Sequence, residues 1–229
     1  VNQPSSSSRP VLPSATWLAP GQQVEFEAAG TNAHRVASGP GGWVERLAED
    51  ALISYKDEAA LEELVIGLER YQGETGWNAS RVFVRFLPMR NAERIAPKLH
   101  TGDATLPLTS VVTENGVQFG IDLGAGYSHG LFLDQRLNRA KLRSLRPRRL
   151  LNTFAYTCSF SVVAALAGAE TVSMDLSQTS LDRGRRNLEL NGVSEKGHRF
   201  VAGDALALLP ELARRNEKFD AIILDPPTF

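Results

Sequence analysis

From Leu150 to Phe229 the chain alternates strand-like and helix-like segments with little between them. Leu150–Ala155, Thr171–Leu176, His198–Gly203 and Phe219–Leu224 are strand-like. Between them, Ser159–Ala167, Thr179–Leu190 and Ala205–Lys218 have the length and patterning of helices. The first closes on Gly168, the second on Asn191-Gly192, and the third carries Pro210. Strands separated by single helices pair in parallel, as βαβ units. Thr171–Leu176 and Ala221–Leu224 lack clean polar alternation, as expected of strands covered on both faces. The expectation is a doubly wound α/β sheet whose first four strands lie in this chain.

In such a sheet, ligands sit beyond the carboxyl ends of the strands. The first strand-like segment runs into Tyr156-Thr157-Cys158-Ser159, the second ends at Asp175, the third is followed by Asp204, and the fourth by Asp225-Pro226-Pro227-Thr228-Phe229. A single acid after a strand is most simply a helix cap. Three at consecutive strand ends suggest a nucleoside ligand, because a carboxylate about 20 residues after the first strand accepts from both ribose hydroxyls. Backbone N–H groups at the start of the Ser159 helix would face an anionic group of that ligand. No glycine occurs between Leu150 and Gly168, which argues against a G-x-G-x-x-G pyrophosphate cradle and so against NAD or FAD. Asp122-Leu123-Gly124-Ala125-Gly126 imitates such a cradle, but no acid lies between Gln135 and Ala169 to complete it. The two prolines after Asp225 end the strand and stiffen it, and the aromatic ring beyond them suits stacking on an extruded base.

Upstream, residues 1–20 are rich in Ser and Pro and read as a flexible tail. Residues 21–105 read as a small α/β domain. The Gly39-Pro40-Gly41-Gly42 turn, paired strands at Trp43–Leu47 and Ala51–Tyr55, a helix capped by Asp57 and a strand from Arg81 to Leu87 would build it. From Glu45 to Glu74, nine acids stand against three bases, a poor face for nucleic acid. Residues 106–229 form the second domain. It opens with a hairpin around Asn115-Gly116, whose sequence suits a type I′ turn. Phe132 to Leu145 follows as a helix with Leu133, Leu137 and Ala140 on its apolar side and Arg136, Arg139 and Arg143 as a basic stripe. Seven bases against one acid between Phe132 and Arg149 make Arg136–Arg149 the candidate RNA-backbone contact. The net charge of −1 confines any nucleic-acid binding to such a patch. No apolar run is long enough for a membrane span, and no Cys/His cluster has metal-ligand spacing. The single cysteine, Cys158, cannot form an intrachain disulfide, so a reducing, cytoplasmic setting is the default.

Gly130-Leu-Phe-Leu-Asp-Gln-Arg136, Leu151-Asn-Thr-Phe-Ala-Tyr-Thr-Cys-Ser-Phe-Ser161, Val172-Ser-Met-Asp-Leu-Ser177, Asn187-Leu-Glu-Leu-Asn-Gly192 and Leu224-Asp-Pro-Pro-Thr-Phe229 occur in that order. Together they resemble the class I, S-adenosylmethionine-dependent methyltransferases of bacterial large-subunit ribosomal RNA that make 5-methylcytosine or 7-methylguanine. The resemblance covers residues 109–229 and implies a Rossmann-like methyltransferase sheet with S-adenosylmethionine as cofactor. It implies that Asn152, Phe154, Tyr156, Thr157 and Ser159 line the methionine side, that Asp175 holds the ribose, and that Asp204, beside Ala205, accepts from the adenine amino group. It further implies that Asp225, Pro226, Pro227 and Phe229 face the target base, and that Gln135 and Arg136 close the site. Many members carry glycine near Cys158, where this chain has none.

Cytosine C5 methylation needs a thiolate nucleophile. Cys158 sits in the cofactor loop, on the wrong side for that, and reads as a small packed thiol. In the resembling enzymes the nucleophile follows the Asp-Pro-Pro segment. The chain begins at Val1 and stops two residues past Pro227, so a fragment of a longer protein is expected, with weak cofactor binding or poor solubility on its own. Its fourth strand would lie at a sheet edge. A nucleotide-dependent oxidoreductase and a catalytically silent RNA-binding module are the alternatives. Neither the target base nor an oligomeric state is legible in these residues.

Overall fold

The computed structural model describes residues 14–88 and 93–226. The upstream part is a six-stranded sheet. It is built from β1 (Thr16–Trp17), β2 (Ala33–Gly39), β3 (Gly42–Leu47), β4 (Asp50–Tyr55), β5 (Arg81–Phe86) and β6 (Lys98–Gly102), in that spatial order. Only β4 and β5 pair in parallel, and α2 (Glu58–Thr75) makes the crossover that parallel pairing requires. Asp57 caps α2 as expected, accepting from the Ala60 amide at 2.9 Å. Trp17 packs in the core under α2 with Tyr71, 5.5 Å between ring centroids. The sheet therefore starts inside the segment whose composition suggests a tail. A helix, α1 (Pro20–Ala28), follows it directly.

The hairpin forms as the Asn-Gly signal predicts. β7 (Thr109–Glu114) and β8 (Val117–Asp122) pair antiparallel, with Asn115 and Gly116 at φ 50° and 74°. Arg81, paired with Asp50 at 2.7 and 2.8 Å in the core, also donates to the carbonyls of Leu106 and Pro107 just before the hairpin.

After a short 3₁₀ turn at Leu133–Gln135 come α3 (Arg136–Leu145), β9 (Arg149–Thr153), α4 (Ser159–Leu166), β10 (Glu170–Asp175), α5 (Gln178–Leu190), β11 (His198–Ala202), α6 (Ala205–Arg214) and β12 (Ala221–Leu224). Their sheet is wholly parallel, ordered β11-β10-β9-β12. The reversal between β10 and β12 on either side of β9 is the switch point of a doubly wound sheet. Among the described residues β12 is an edge, with Ile222 and Leu224 more than half exposed.

One hydrophobic cluster runs through both halves. It joins Leu47, Leu52 and Phe83 of the first sheet, Val112, Phe119 and Ile121 of the hairpin, Leu150 of the second sheet, and Val162 of α4 and Leu188 of α5. The outer edge of β8 is covered by side chains rather than by a third strand. Asn187 of α5 accepts from the Gly120 amide at 2.8 Å. Asn191, one turn on, accepts from the Gln118 amide and donates to its carbonyl, at 2.9 and 2.7 Å. The two asparagines satisfy the edge groups that would otherwise invite another strand.

α3 departs from the expected wheel. Leu137 is 69% exposed and Ala140 is exposed, while Arg139 and Leu142 are buried. The reason is a partner 25 residues upstream. Arg139 forks onto Glu114 of β7 at 2.6 and 2.7 Å, both side chains being 1% exposed. The basic stripe is thus broken at its centre.

Candidate functional site

The loop after β9 crosses the carboxyl edge of the parallel sheet in an unusual backbone path. Phe154, Tyr156 and Cys158 alternate with ordinary residues at φ 54°, 48° and 59°, each left-handed without being glycine. Such positions cost about 1–3 kcal/mol apiece and persist where the surroundings over-determine them. The surroundings do so here. The Ala155 and Tyr156 amides donate to the Met174 carbonyl and to Asp175 Oδ2, both at 2.8 Å. The Tyr156 hydroxyl donates to the Ser128 carbonyl at 2.9 Å, and burial pushes that phenol above its usual pKa, so it stays a neutral donor. The Thr157 hydroxyl donates to the Gly130 carbonyl, and Asn187 donates to the Thr157 carbonyl at 3.0 Å. Cys158 is wholly buried against Gly184, where a Cβ would lie 2.5 Å from its sulfur. Burial pushes the thiol up to about 12, which makes it inert as a nucleophile and agrees with a packed thiol.

This loop floors a cavity of about 420 Å³, within the range of small-molecule sites. Asn152, Phe154, Tyr156, Ser159, Asp175, Asp225, Pro226 and Gln135 line it, so eight of the expected site residues converge. Asp175 stands at the end of β10, with Oδ1 also accepting from the Ser177 amide at 2.9 Å. Asp225, one residue past β12, accepts from Gln135 Nε2 at 3.3 Å, which ties the upstream segment to the strand end. Asn152 donates to Ser161 at 3.0 Å beneath the first turn of α4.

Four expected residues are placed elsewhere. Arg136 lies with its guanidinium 4.5 Å over the Phe26 ring and does not line the cavity. Thr157 is buried beneath the loop and acts by holding it. Asp204 caps α6, accepting from the Leu206 amide at 2.9 Å, and neither it nor Ala205 lines the cavity. The helix-cap reading of a lone strand-end acid holds there. Pro227 and Phe229 lie outside the described residues.

The cavity also contains residues that sequence reasoning missed. Arg139 reaches it beneath its pair with Glu114, with Nη1 3.4 Å from Ser159 Oγ at the start of α4. It was placed on an RNA-facing stripe, and its burial overturns that placement. Phe132 leans on Tyr156, with ring centroids 5.4 Å apart. Asp134 lines one side, and Leu176, three-quarters exposed, forms an apolar shelf at the mouth. The Gly130–Arg136 motif contains the signal for Phe132 and Asp134.

The charge of the lining discriminates between ligands. Asp134, Asp175 and Asp225 face the cavity, whereas the single guanidinium is already paired with Glu114. Such a lining repels a pyrophosphate and favours a ligand carrying positive charge. Among the described residues no group of acids, histidines and cysteines has the arrangement of a metal site, and no helix is long and apolar enough to cross a membrane.

Comparisons with known proteins agree with this geometry. The family model for S-adenosylmethionine-dependent methyltransferases matches residues 41–229. The chain is 44% identical over 133 residues to ribosomal RNA large subunit methyltransferase I of Aeromonas salmonicida, covering 57% of this chain and 33% of that protein. It is 42% identical over 121 residues to ribosomal RNA large subunit methyltransferase K of Neisseria meningitidis, covering 52% and 34%. The chain thus spans about a third of the length of these relatives. Among solved structures, the methyltransferase SMU.776 complexed with SAH superposes with a TM-score of 0.77 at 26% identity, over 91% of this chain and 55% of that one. The matched segment takes in β3 through β12, the shared core and the whole acid-lined cavity, and the chain therefore belongs to the family of S-adenosylmethionine-dependent methyltransferases.

Proposed function

We propose that this cavity binds S-adenosylmethionine and that the protein transfers its methyl group to a base of RNA, most directly a ribosomal RNA. The observation that carries the reading is the acid-lined cavity at the switch point, with no glycine cradle for phosphates. It suits a sulfonium-bearing nucleoside and disfavours the dinucleotide of an oxidoreductase. The ribosomal RNA substrate rests on the relatives at 44% and 42% identity, whose names carry it.

When bound, the cofactor supplies an activated methyl group on a cationic sulfur. The chain supplies placement. Asp175 offers the unshared lone pairs of its fixed carboxylate to two ribose hydroxyls. Arg139 Nη1, Ser159 and the unpaired first-turn amides of α4 form a receptor for a carboxylate. Cys158, the N-cap of α4, makes no side-chain cap, which leaves those amides available. Leu176 and Phe154 cover the apolar face of a purine. Asp225, steadied by Gln135 and followed by Pro226, presents acceptors to an amino group of the target base. Catalysis by this set is chiefly the alignment of donor and acceptor. Lys141, Arg143, Arg146 and Arg148 remain exposed on the expected basic stretch and supply RNA-backbone contacts there.

The test is incubation of the protein with methyl-labelled S-adenosylmethionine and ribosomal RNA, followed by digestion to nucleosides. Label on a base is expected. Label confined to ribose or to protein, or no transfer while the cofactor binds, would overturn the reading.

A further inference from the structure

A second cavity, of about 350 Å³, abuts the first and shares Ser128, Phe132, Asp134 and Tyr156 with it. Its other walls come from the first sheet and from the segment after β8. Two arginine-on-aromatic stacks flank it. Arg35 lies 4.8 Å over the Trp43 ring, and Arg85 and Arg94 lie 4.8 and 5.5 Å from the centre of the Tyr127 ring. At its floor Glu45, 5% exposed, faces Arg35 at 3.4 Å, Arg85 at 3.5 Å and His129 at 3.9 Å. Burial alone would raise the Glu45 carboxyl, but His129, Arg85 and Arg35 outweigh it and hold the group below its usual value. Arg85 is fixed further by Ser54 and by the Tyr127 carbonyl at 2.8 Å, which anchors the Tyr127 segment to the first sheet. Among the described residues, Glu45 Oε2 meets Arg85 and His129 only at ion-pair distance, and His129 Nδ1 and Trp43 Nε1 have no hydrogen-bond partner, although the Glu45 and His129 side chains are only 6% exposed. Buried polar atoms left short of hydrogen bonds at one cavity are unusual and mark a place where a polar ligand completes the set. Glu45 opens the stretch that composition marks as a poor nucleic-acid face, yet it turns inward and gathers cations.

We propose that this cavity receives one nucleotide of the substrate RNA, flanking the base that is methylated. The proposal rests on the RNA reading above and adds where the strand runs. Unpaired RNA bases are held by stacking on aromatic rings and guanidinium planes, and both kinds of plane are assembled here before any ligand arrives. The Arg35 side chain is 41% exposed, so the edge of its guanidinium turned away from Glu45 can meet a phosphate. Phe132 and Tyr156 form the partition between the cavities, so an occupant lies one ring's thickness from the cofactor side. The base edge would bring hydrogen-bonding groups to Glu45 and His129.

The test is anisotropy of a labelled single-stranded ribosomal RNA fragment across a salt series, beside titration of S-adenosylhomocysteine as the control for an intact fold. Arg35→Glu and Tyr127→Ala are compared with Arg70→Glu, an exposed site on α2. The expectation is roughly tenfold weaker RNA binding for Tyr127→Ala, the scale of one lost base stack. Arg35→Glu should weaken binding similarly and flatten the log–log salt slope by about one. Cofactor titration should match the wild type in all three. RNA binding by both variants equal to that of Arg70→Glu would overturn the second-cavity proposal alone. Failure of the wild type to bind RNA while it binds the cofactor analogue would overturn the RNA reading and this proposal together.

Discussion

Removing one charge of the Glu114–Arg139 pair should destabilise the fold more than any surface change and should be partly reversible by removing the other. The pair is 1% exposed on both sides, with donor–acceptor distances of 2.6 and 2.7 Å and a third bond from Arg139 to the Phe132 carbonyl at 2.8 Å. Glu114→Gln keeps the shape and one acceptor but leaves the guanidinium buried without a counter-charge. Breaking a buried pair from one side costs about 3–5 kcal/mol, whereas replacing both partners with apolar groups of similar size is often near neutral. Total stability is only about 5–15 kcal/mol, so the single change removes a large share of it. With a urea m-value of about 2–3 kcal/mol/M, the unfolding midpoint should fall by about 1–2.5 M. Arg139→Met alone should fall comparably, and the double variant Glu114→Gln/Arg139→Met, which leaves a neutral amide in place of an unpaired charge, should recover part of the loss, giving a coupling energy of about 2 kcal/mol or more. Equilibrium urea unfolding of the four proteins measures this directly. Additive losses, or a Glu114→Gln midpoint within experimental error of the wild type, would refute the argument that the pair is what turns Arg139 inward. The double variant carries a second reading: refolded but lacking Arg139, it should bind S-adenosylhomocysteine more weakly than the wild type.

Three further outcomes follow from buried groups. Gly184→Ala places a Cβ 2.5 Å from the Cys158 sulfur and 2.8 Å from its Cβ, an overpacking that should cost about 1–3 kcal/mol, and Cys158→Gly should restore part of it, read by thermal unfolding. Cys158 should resist a thiol reagent at pH 8 and react at once in denaturant, and because burial pushes its pKa up to about 12 from an ordinary 9.0, its contribution to stability is full below pH 9 and is lost as pH rises toward 12. His34, stacked flat on Phe26 at 4.3 Å with neither ring nitrogen partnered among the described residues, is lowered to about 4, first by burial and then by Arg46 and Arg136. Its folded pKa is depressed, so stability present above pH 6.5 should fall by about 3 kcal/mol as pH drops toward 4. His34→Phe should flatten that slope, and an unchanged slope would show that His34 does not set it.

What the sequence made legible was whatever local pattern decides. The parallel strands and their helices follow from alternating segment types, and the hairpin follows from one Asn-Gly pair whose φ values come out positive. Elements with little pattern were missed. α1 begins at Pro20 with no side-chain cap and leaves Val24 exposed, and β2 and β6 carry no clean alternation. Pairing at a distance was also invisible. Arg139 looked like a surface cation because its partner lies across the turn of β7–β8, and Asn187 and Asn191 looked like a helix end although they finish the edge of β8. The loop after β9 lacks the glycines of a pyrophosphate cradle. It turns instead on Phe154, Tyr156 and Cys158, held left-handed by hydrogen bonds with three other segments, the end of β10, residues 128–130 and α5. Asp175 and Asp204 were indistinguishable as strand-end acids; their neighbours differ, one opening onto the cavity and the other closing a helix.

The central claim is that the cofactor lies at the switch point, between Asp175 and the start of α4. Titration of S-adenosylhomocysteine into ¹⁵N-labelled protein, followed by amide NMR, tests it and reads weak affinities as well as strong ones. Saturable shifts are expected at Tyr156, at Ser159 to Ser161 and at Ser177, and they should vanish in Asp175→Ala. Shifts that survive in Asp175→Ala, that map away from these amides, or that never appear in the wild type would contradict the account.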